Sequence, residues 1–293
     1  MPASRKIVVD GHPLRLTNLD KVLYPETGTT KGDVLAYYAR VADRMLPLLA
    51  GRAVTRKRWP DGVGTAERPE PAFFTKSLDS GTPEWVTRTT LTHNEEPKTY
   101  PLIDSTATLL LMAQYAALEL HVPQWRATTG GERGSPDRLV LDLDPGPGAG
   151  LAECIEIARQ ARHLLDSIGL STCPVTSGSK GLHLYAHLNG DLTSADASNL
   201  ARELARGLEK ANPDLVTSQM RKSLRPGKVF VDWSQNNAAK TTICPYSLRG
   251  QPRPMVAAPR TWDELDTHPD QLDGDQVLSR LDHEDPLAEF VSS

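Results

Sequence analysis

Cysteine is scarce in this sequence: Cys154, Cys173 and Cys244 are the only three in 293 residues, and they stand far apart with no paired spacing. That pattern fits a reducing compartment and offers no zinc site. The opening MPASRKIVVD has no apolar signal core. The longest apolar-rich stretch, around Leu109 to Leu120, is too short and too interrupted to span a bilayer. No internal repeat or extended low-complexity segment occurs. These absences lead to the expectation of a cytoplasmic protein with no membrane partner.

What is present is the composition of an ordinary soluble chain, 39% hydrophobic and 24% charged. Its length allows one large domain or two intimate modules. A net charge of -4 argues against an indiscriminate nucleic-acid coat. The charge is unevenly spread, however. Trp262 to Glu289 is acidic, while Arg52, Arg56, Lys57 and Arg58 crowd one stretch and Arg221, Lys222, Arg225 and Lys228 another. Both basic clusters are candidate binding surfaces.

The periodicity predicts a helix over KGDVLAYYARVADRMLPLLAG with Gly51 as its stop, and a second, largely buried helix over STATLLLMAQYAALELH ending at His121. TGGERGSPD, ahead of Arg138, is the candidate internal boundary. Beyond it the order reads strand Leu139–Asp144, helix to Gly169, strand Leu170–Thr176, strand Leu182–Leu188, a helix with Leu200, Leu204 and Leu208 on one stripe, and strand Lys228–Trp233. That is the order of the split ferredoxin-like motif. The fold class expected is α+β: a ferredoxin- or RRM-like core sheet with helices on one face, joined to an N-terminal mixed α/β module. The divisions are 1–135, 136–260 and an acidic 261–293.

In RLVLDLDPG, Asp142 and Asp144 share one face of a strand while Leu139, Leu141 and Leu143 share the other. Like charges on one face are costly without a cation between them, although a solvated strand end explains them as well. In the ferredoxin-like order, Asp232 of KVFVDWS and His183 of LHLYAHL join the same patch. Three carboxylates suit two Mg²⁺ or Mn²⁺ ions, with Asp142 and Asp144 bridging both and Asp232 binding mainly the ion that activates an attacking 3′-hydroxyl. Nearby, TSGSKGLH offers turns at Gly178 and Gly181 whose amides can face an anion, with Ser177, Ser179 and Lys180 adding donors and charge. It is not a Walker loop, because the Gly-Lys-Ser/Thr ending and following helix are missing. Gln235, Lys240, Arg249 and Arg225 are further phosphate or primer contacts, each open to explanation as solvated loop. Of Phe73 and Phe74 in PAFFTK, one is expected in the core and one as a platform for a base. His121 alone reads as structural.

The stretches TNLDKVLYPETGTTKGDVLAYY, TRKRWPDG, PAFFTK, LELHVPQW, LVLDLDPG, VTSGSKGLHLY, KSLRPGKVFVDWSQNNAAKTTICPYSLRG and VAAPRTWDEL resemble the polymerase domain of bacterial ATP-dependent DNA ligase D, of the archaeo-eukaryotic primase superfamily. The resemblance runs from about Leu16 to Leu265. It implies template-dependent nucleotide addition in non-homologous end joining, favouring ribonucleotides and manganese. It implies metal ligation by Asp142, Asp144 and Asp232, and nucleotide binding by Lys57, Phe74, His121, Ser177, Lys180, His183, Gln235 and Arg249. Lys21 and Lys31 match residues that receive the 5′-phosphate of a gap, although composition alone reads them as solvated surface. Ser218 to Lys228, with Arg221, Lys222 and Arg225, matches a mobile loop for primer ends and synapsis; Arg88 to Lys98 matches a second. DNA ends, nucleoside triphosphates, Ku and ligase or nuclease domains are the implied partners, at breaks in the nucleoid. No Lys-x-Asp-Gly adenylation motif or nuclease segment occurs, so the expectation is an excised domain or a stand-alone relative. Two other readings stay open: a metal-dependent phosphoesterase, and a non-catalytic module bridging DNA ends.

Overall fold

Strict alternation makes Arg138–Pro145 a strand: Leu139, Leu141 and Leu143 are fully buried on one side, and Val140 is buried on the other. In the computed structural model, which describes residues 4–93 and 96–290, this strand is central to a six-stranded sheet of a mixed α/β fold. Antiparallel neighbours Leu182–His187 and Val229–Asp232 flank it, and Thr172–Thr176 lies beyond Leu182–His187. Val216–Thr217 and Ala258–Pro259 add short edges.

Helices Leu151–Asp166 and Ser194–Ala211 pack on the leucine face of that sheet. The second buries Ala197, Ala201, Ala205 and Leu208, whereas Leu200 and Leu204 are only half-buried. The expected leucine stripe is therefore an alanine seam flanked by leucines, which lets the helix lie close to the sheet.

The other face meets elements from earlier in the chain. Val140, Cys173, Val175 and Tyr185 share a core with helix Lys31–Leu49 and with Leu109 to Leu120. Here the expected second long helix is corrected: the helix covers only Thr106–Gln114, and Ala117–Val122 is a strand. Ala116 at φ 58 makes the break, and the strand pairs with Thr55–Arg58 and Thr242–Ile243. His121 therefore lies in a strand rather than at a helix end.

The Arg52–Arg58 cluster is corrected as well. Arg52 and Arg56 are buried, with Arg52 bonded to Asp137 at 2.5 and 2.6 Å and Arg56 to Asp79 at 2.5 Å. Arg58 joins Asp79 at 2.7 Å, which leaves Lys57 alone on the opposite face of the strand. The acidic end of the chain contributes Leu272, Val277 and Leu287 to the large core. Among the described residues no helix is long and apolar enough to cross a membrane.

Candidate active site

Strand register brings the acids together. Asp142 lies directly opposite His183 on one side and Asp232 on the other, and Asp144 lies opposite Phe230. Beside these acids a cleft of about 400 Å³ opens, lined by Asp142, Asp144 and His183. His121, Ser177, Lys180, Arg225, Gln235 and Arg249 line it too. Residues from four separate stretches of the sequence thus meet at one end of the central strand.

Asp144 stands at the exposed end of the strand. Crowding by the cleft walls, together with the Asp142 carboxylate, pushes its carboxyl above the ordinary carboxylate range; Asp232 adds to the rise, and His183 and Arg225 oppose it. His183 approaches Asp142 at 3.4 Å, and its buried Nδ1 has no hydrogen-bond partner. Asp232 is buried, and both of its oxygens are engaged locally. One accepts from the Ser234 amide at 3.0 Å and its hydroxyl at 2.5 Å, the other from Gln235 at 2.9 Å. Lys240 in turn donates to the Ser234 hydroxyl. Consequently, among the described residues, no three His, Cys, Asp or Glu side chains close around one point as a metal cage. The oxygen pair of Asp142 and Asp144 nonetheless has the hard donor chemistry that suits Mg²⁺ or Mn²⁺.

The turn Ser177–Gly181 forms the facing wall. Gly178 adopts φ +68, and a Cβ on Gly181 would meet the Leu143 carbonyl at 2.0 Å, so the turn lies flat against the central strand. The expectation that its amides face an anion is corrected. Ser179 and Gly181 N–H both donate to the Ser177 hydroxyl oxygen at 3.2 Å, and Gly178 N–H donates to Gln271 at 2.7 Å. With its oxygen accepting from two amides, the Ser177 hydroxyl keeps its own proton to donate, and Lys180 supplies charge.

Sequence reasoning missed the hub of the next wall, Glu119. It is 1% exposed and accepts from His121 Nε2 at 2.8 Å and Gly250 N–H at 3.0 Å, with Lys57 and Arg249 each 3.7 Å away. Burial alone would raise its carboxyl, but the His121 hydrogen bond and the charges of Arg249, His121 and Lys57 hold it at about 2. Burial keeps His121 below its ordinary value despite Glu119, so at neutral pH the imidazole is a neutral donor. The available signal was one acid inside the apolar run ALELHV.

Lys57 also sits 5.5 Å from the Phe74 ring, and the His121 and Phe74 rings are 6.1 Å apart. Phe73 and Phe74 are 56% and 65% exposed, so neither belongs to the core. Adjacent in a strand, the two rings face opposite ways, and Phe74, the one beside His121 and Lys57, is a ready stacking surface.

The remaining predicted residues lie away from this cleft or at its edge. Lys31 is buried, contrary to its reading as solvated surface, and burial together with nearby Lys21 lowers its ammonium to about 8. Lys21 itself contacts Asp61 at 2.8 Å. Arg221 and Lys222 are exposed, whereas Arg225 packs 3.8 Å over the Phe230 ring at the cleft mouth. Of the stretch Arg88 to Lys98, residues 94 and 95 lie outside the described residues; its flanks, Arg88–His93 and Glu96–Pro101, pair antiparallel.

With this geometry in view, comparisons with known proteins are informative. A family model described as the LigD primase-polymerase domain matches residues 30–287. The multifunctional non-homologous end joining DNA repair protein LigD of Mycobacterium tuberculosis (strain ATCC 25618 / H37Rv) is 56% identical over 284 residues, covering 95% of this chain and 37% of the relative. The multifunctional non-homologous end joining protein LigD of Mycolicibacterium smegmatis is 55% identical over 270 residues, 92% of this chain and 35% of the relative. The chain thus spans a little over a third of the length of these curated relatives. A solved structure, the polymerase domain from Mycobacterium tuberculosis ligase D in complex with DNA, superposes with a TM-score of 0.90 at 55% identity, covering 96% of this chain and 98% of that one.

Proposed function

The chain belongs to the LigD primase-polymerase domain family, and from that premise we propose that it extends primer 3′-ends with nucleoside triphosphates, under template direction, across short gaps at DNA breaks. The observation that carries this reading is the pairing of Asp142 and Asp144 on one cleft wall with Ser177, Lys180 and Arg249 on the others. Acids that attract a divalent cation, set beside donors that attract a triphosphate, match nucleotidyl transfer. The whole segment 1–293 acts as one polymerase domain, with a ferredoxin-like core over 136–260 built on the N-terminal module 1–135 and closed by 261–293.

In the reaction the primer 3′-hydroxyl gives up its proton to solvent and its oxygen forms a bond to the α-phosphorus, while the bond from that phosphorus to the bridging oxygen breaks, releasing pyrophosphate. Asp142 and Asp144 would hold Mn²⁺ or Mg²⁺, two ions in all, with Asp232 as the third ligand. When bound, such ions stabilise charge on the attacking and leaving oxygens. The chain does the rest. Lys180 and Arg249 neutralise the triphosphate, Ser177 donates a hydrogen bond to it, and His183 orients Asp142. Gln235 keeps Asp232 in place, while Lys57 and His121, tied to Glu119, border the nucleotide. Phe74 stacks on the base. Lys21 and Lys31 receive the 5′-phosphate across the gap, and Arg221, Lys222 and Arg225 engage primer ends and synapsis. The proposed setting is end joining at breaks in the cytoplasmic nucleoid, with ribonucleotides preferred and with Ku and the ligase and nuclease domains of LigD as partners.

The test is extension of a labelled primer across a 5′-phosphorylated gap, with ribo- or deoxyribonucleotides and Mn²⁺ or Mg²⁺. Templated extension is expected for the wild type and is lost in Asp142→Ala and Asp144→Ala. Binding of DNA ends by the wild type without extension would overturn the polymerase reading in favour of a bridging module.

A further inference from the structure

Between helices Trp262–Thr267 and Gly274–Leu278, the chain crosses behind the Ser177–Gly181 turn. There the Gln271 side chain makes two contacts with that turn. Its Oε1 accepts from Gly178 N–H at 2.7 Å, and its Nε2 donates to the Gly181 carbonyl at 2.8 Å. One amide therefore spans the turn that carries Ser177, Ser179 and Lys180 into the cleft. Only a side chain with an acceptor and a donor on the same carbon satisfies both ends.

Gln271 is itself held from both sides. The buried Arg260 guanidinium donates to the carbonyls of Asp270 at 2.7 Å and His268 at 2.6 Å. On the other side, the Leu272 carbonyl accepts from Val256 N–H at 2.9 Å, and the Leu272 side chain is in the large core. The turn has little freedom to find another seat, since a Cβ on Gly178 would stand 2.6 Å from both Arg249 and the Val256 carbonyl. A rigid strut thus runs from Arg260 through 268–272 to the turn.

We propose that Gln271 is a positioning residue for the triphosphate, holding the turn so that the Ser177 hydroxyl and the Lys180 ammonium point into the cleft together. The acidic end of the chain then forms part of the nucleotide site. This inference rests on the reading of the cleft as a nucleotide site, and the experiment separates the two.

Steady-state extension of a gapped primer with ATP opposite a templating thymine is measured for wild type, Gln271→Ala, Gln271→Glu and Lys180→Ala, alongside the Kd for the gapped DNA and the melting temperature. Loss of two neutral hydrogen bonds in Gln271→Ala should raise the KM for ATP about tenfold. The kcat and the DNA Kd should stay within about twofold, as expected when an interaction common to ground and transition states is lost. Gln271→Glu keeps the shape and the acceptor for Gly178 but sets a carboxylate against the Gly181 carbonyl, so its KM should rise further. An unchanged KM in both Gln271 variants, with Lys180→Ala raised, overturns the proposal and leaves the cleft reading intact. The proposal also fails if KM, kcat, DNA affinity and melting temperature all deteriorate together in Gln271→Glu. An unchanged KM in Lys180→Ala instead sinks the nucleotide reading of the cleft.

Discussion

Glu119→Gln tests the claim that one buried carboxylate organises the basic wall of the cleft. The carboxyl is held at about 2 against an ordinary 4.5. That difference corresponds to at most about 3 kcal/mol of folding stability. Because the folded state has the lower value, the contribution is fully present above pH 4.5 and is lost as pH falls towards 2. His121 is neutral at pH 7 and there attracts the carboxylate only through its hydrogen bond, so the cost at that pH is smaller. Lys57 and Arg249 are partly open to water and can turn outward when the charge goes. The amide retains an acceptor for Gly250 N–H, and about 2 kcal/mol is therefore expected at pH 7.

Urea unfolding of wild type and Glu119→Gln, followed from pH 7 down to pH 3, gives the measurement. The gap between the two should narrow by about 1 to 2 kcal/mol over that range, since below pH 4.5 the unfolded wild-type chain takes up a proton at position 119 that the folded chain does not, whereas glutamine takes up none in either state. A gap of constant size would refute the ionised hub. It would mean that shape or hydrogen bonding, rather than charge, makes Glu119 matter.

Two further outcomes follow from the site. Lys21→Ala combined with Lys31→Ala should abolish the preference for a 5′-phosphorylated gap while leaving simple primer extension largely intact; equal loss on both substrates would argue against phosphate binding. Since burial and Lys21 lower the Lys31 ammonium to about 8, the wild-type preference should also fade between pH 7 and pH 9 as that ammonium loses its proton. Phe74→Ala should raise the KM for nucleotide about tenfold, the scale of base–aromatic stacking, with the melting temperature unchanged because the ring is 65% exposed. An unaltered KM would remove Phe74 from the nucleotide site.

What could be read from the sequence was whatever depended on neighbours one to four positions away. Asp142 and Asp144 were legible because alternation is local: the same period that buries Leu139, Leu141 and Leu143 sets both acids on one face. Local patterns failed where two periods fit equally. A run such as Leu109 to Leu120 satisfies a buried helix and a buried strand alike, and the left-handed Ala116 that divides them is an alanine, which gives no warning. They also failed wherever a polar residue has its partner far along the chain. Arg52 finds Asp137 across 85 positions, and Gln271 finds Gly181 across 90. In sequence, Arg52 belongs to a basic cluster and Gln271 to an acidic tail. A polar side chain buried by a distant partner keeps the sequence appearance of a surface residue, since the partner is supplied only by the fold. Glu119 is the intermediate case, because an acid within an apolar strand must find compensation somewhere. The strand itself indicates that a partner exists, and only the meeting of Lys57, His121 and Arg249 in space identifies which.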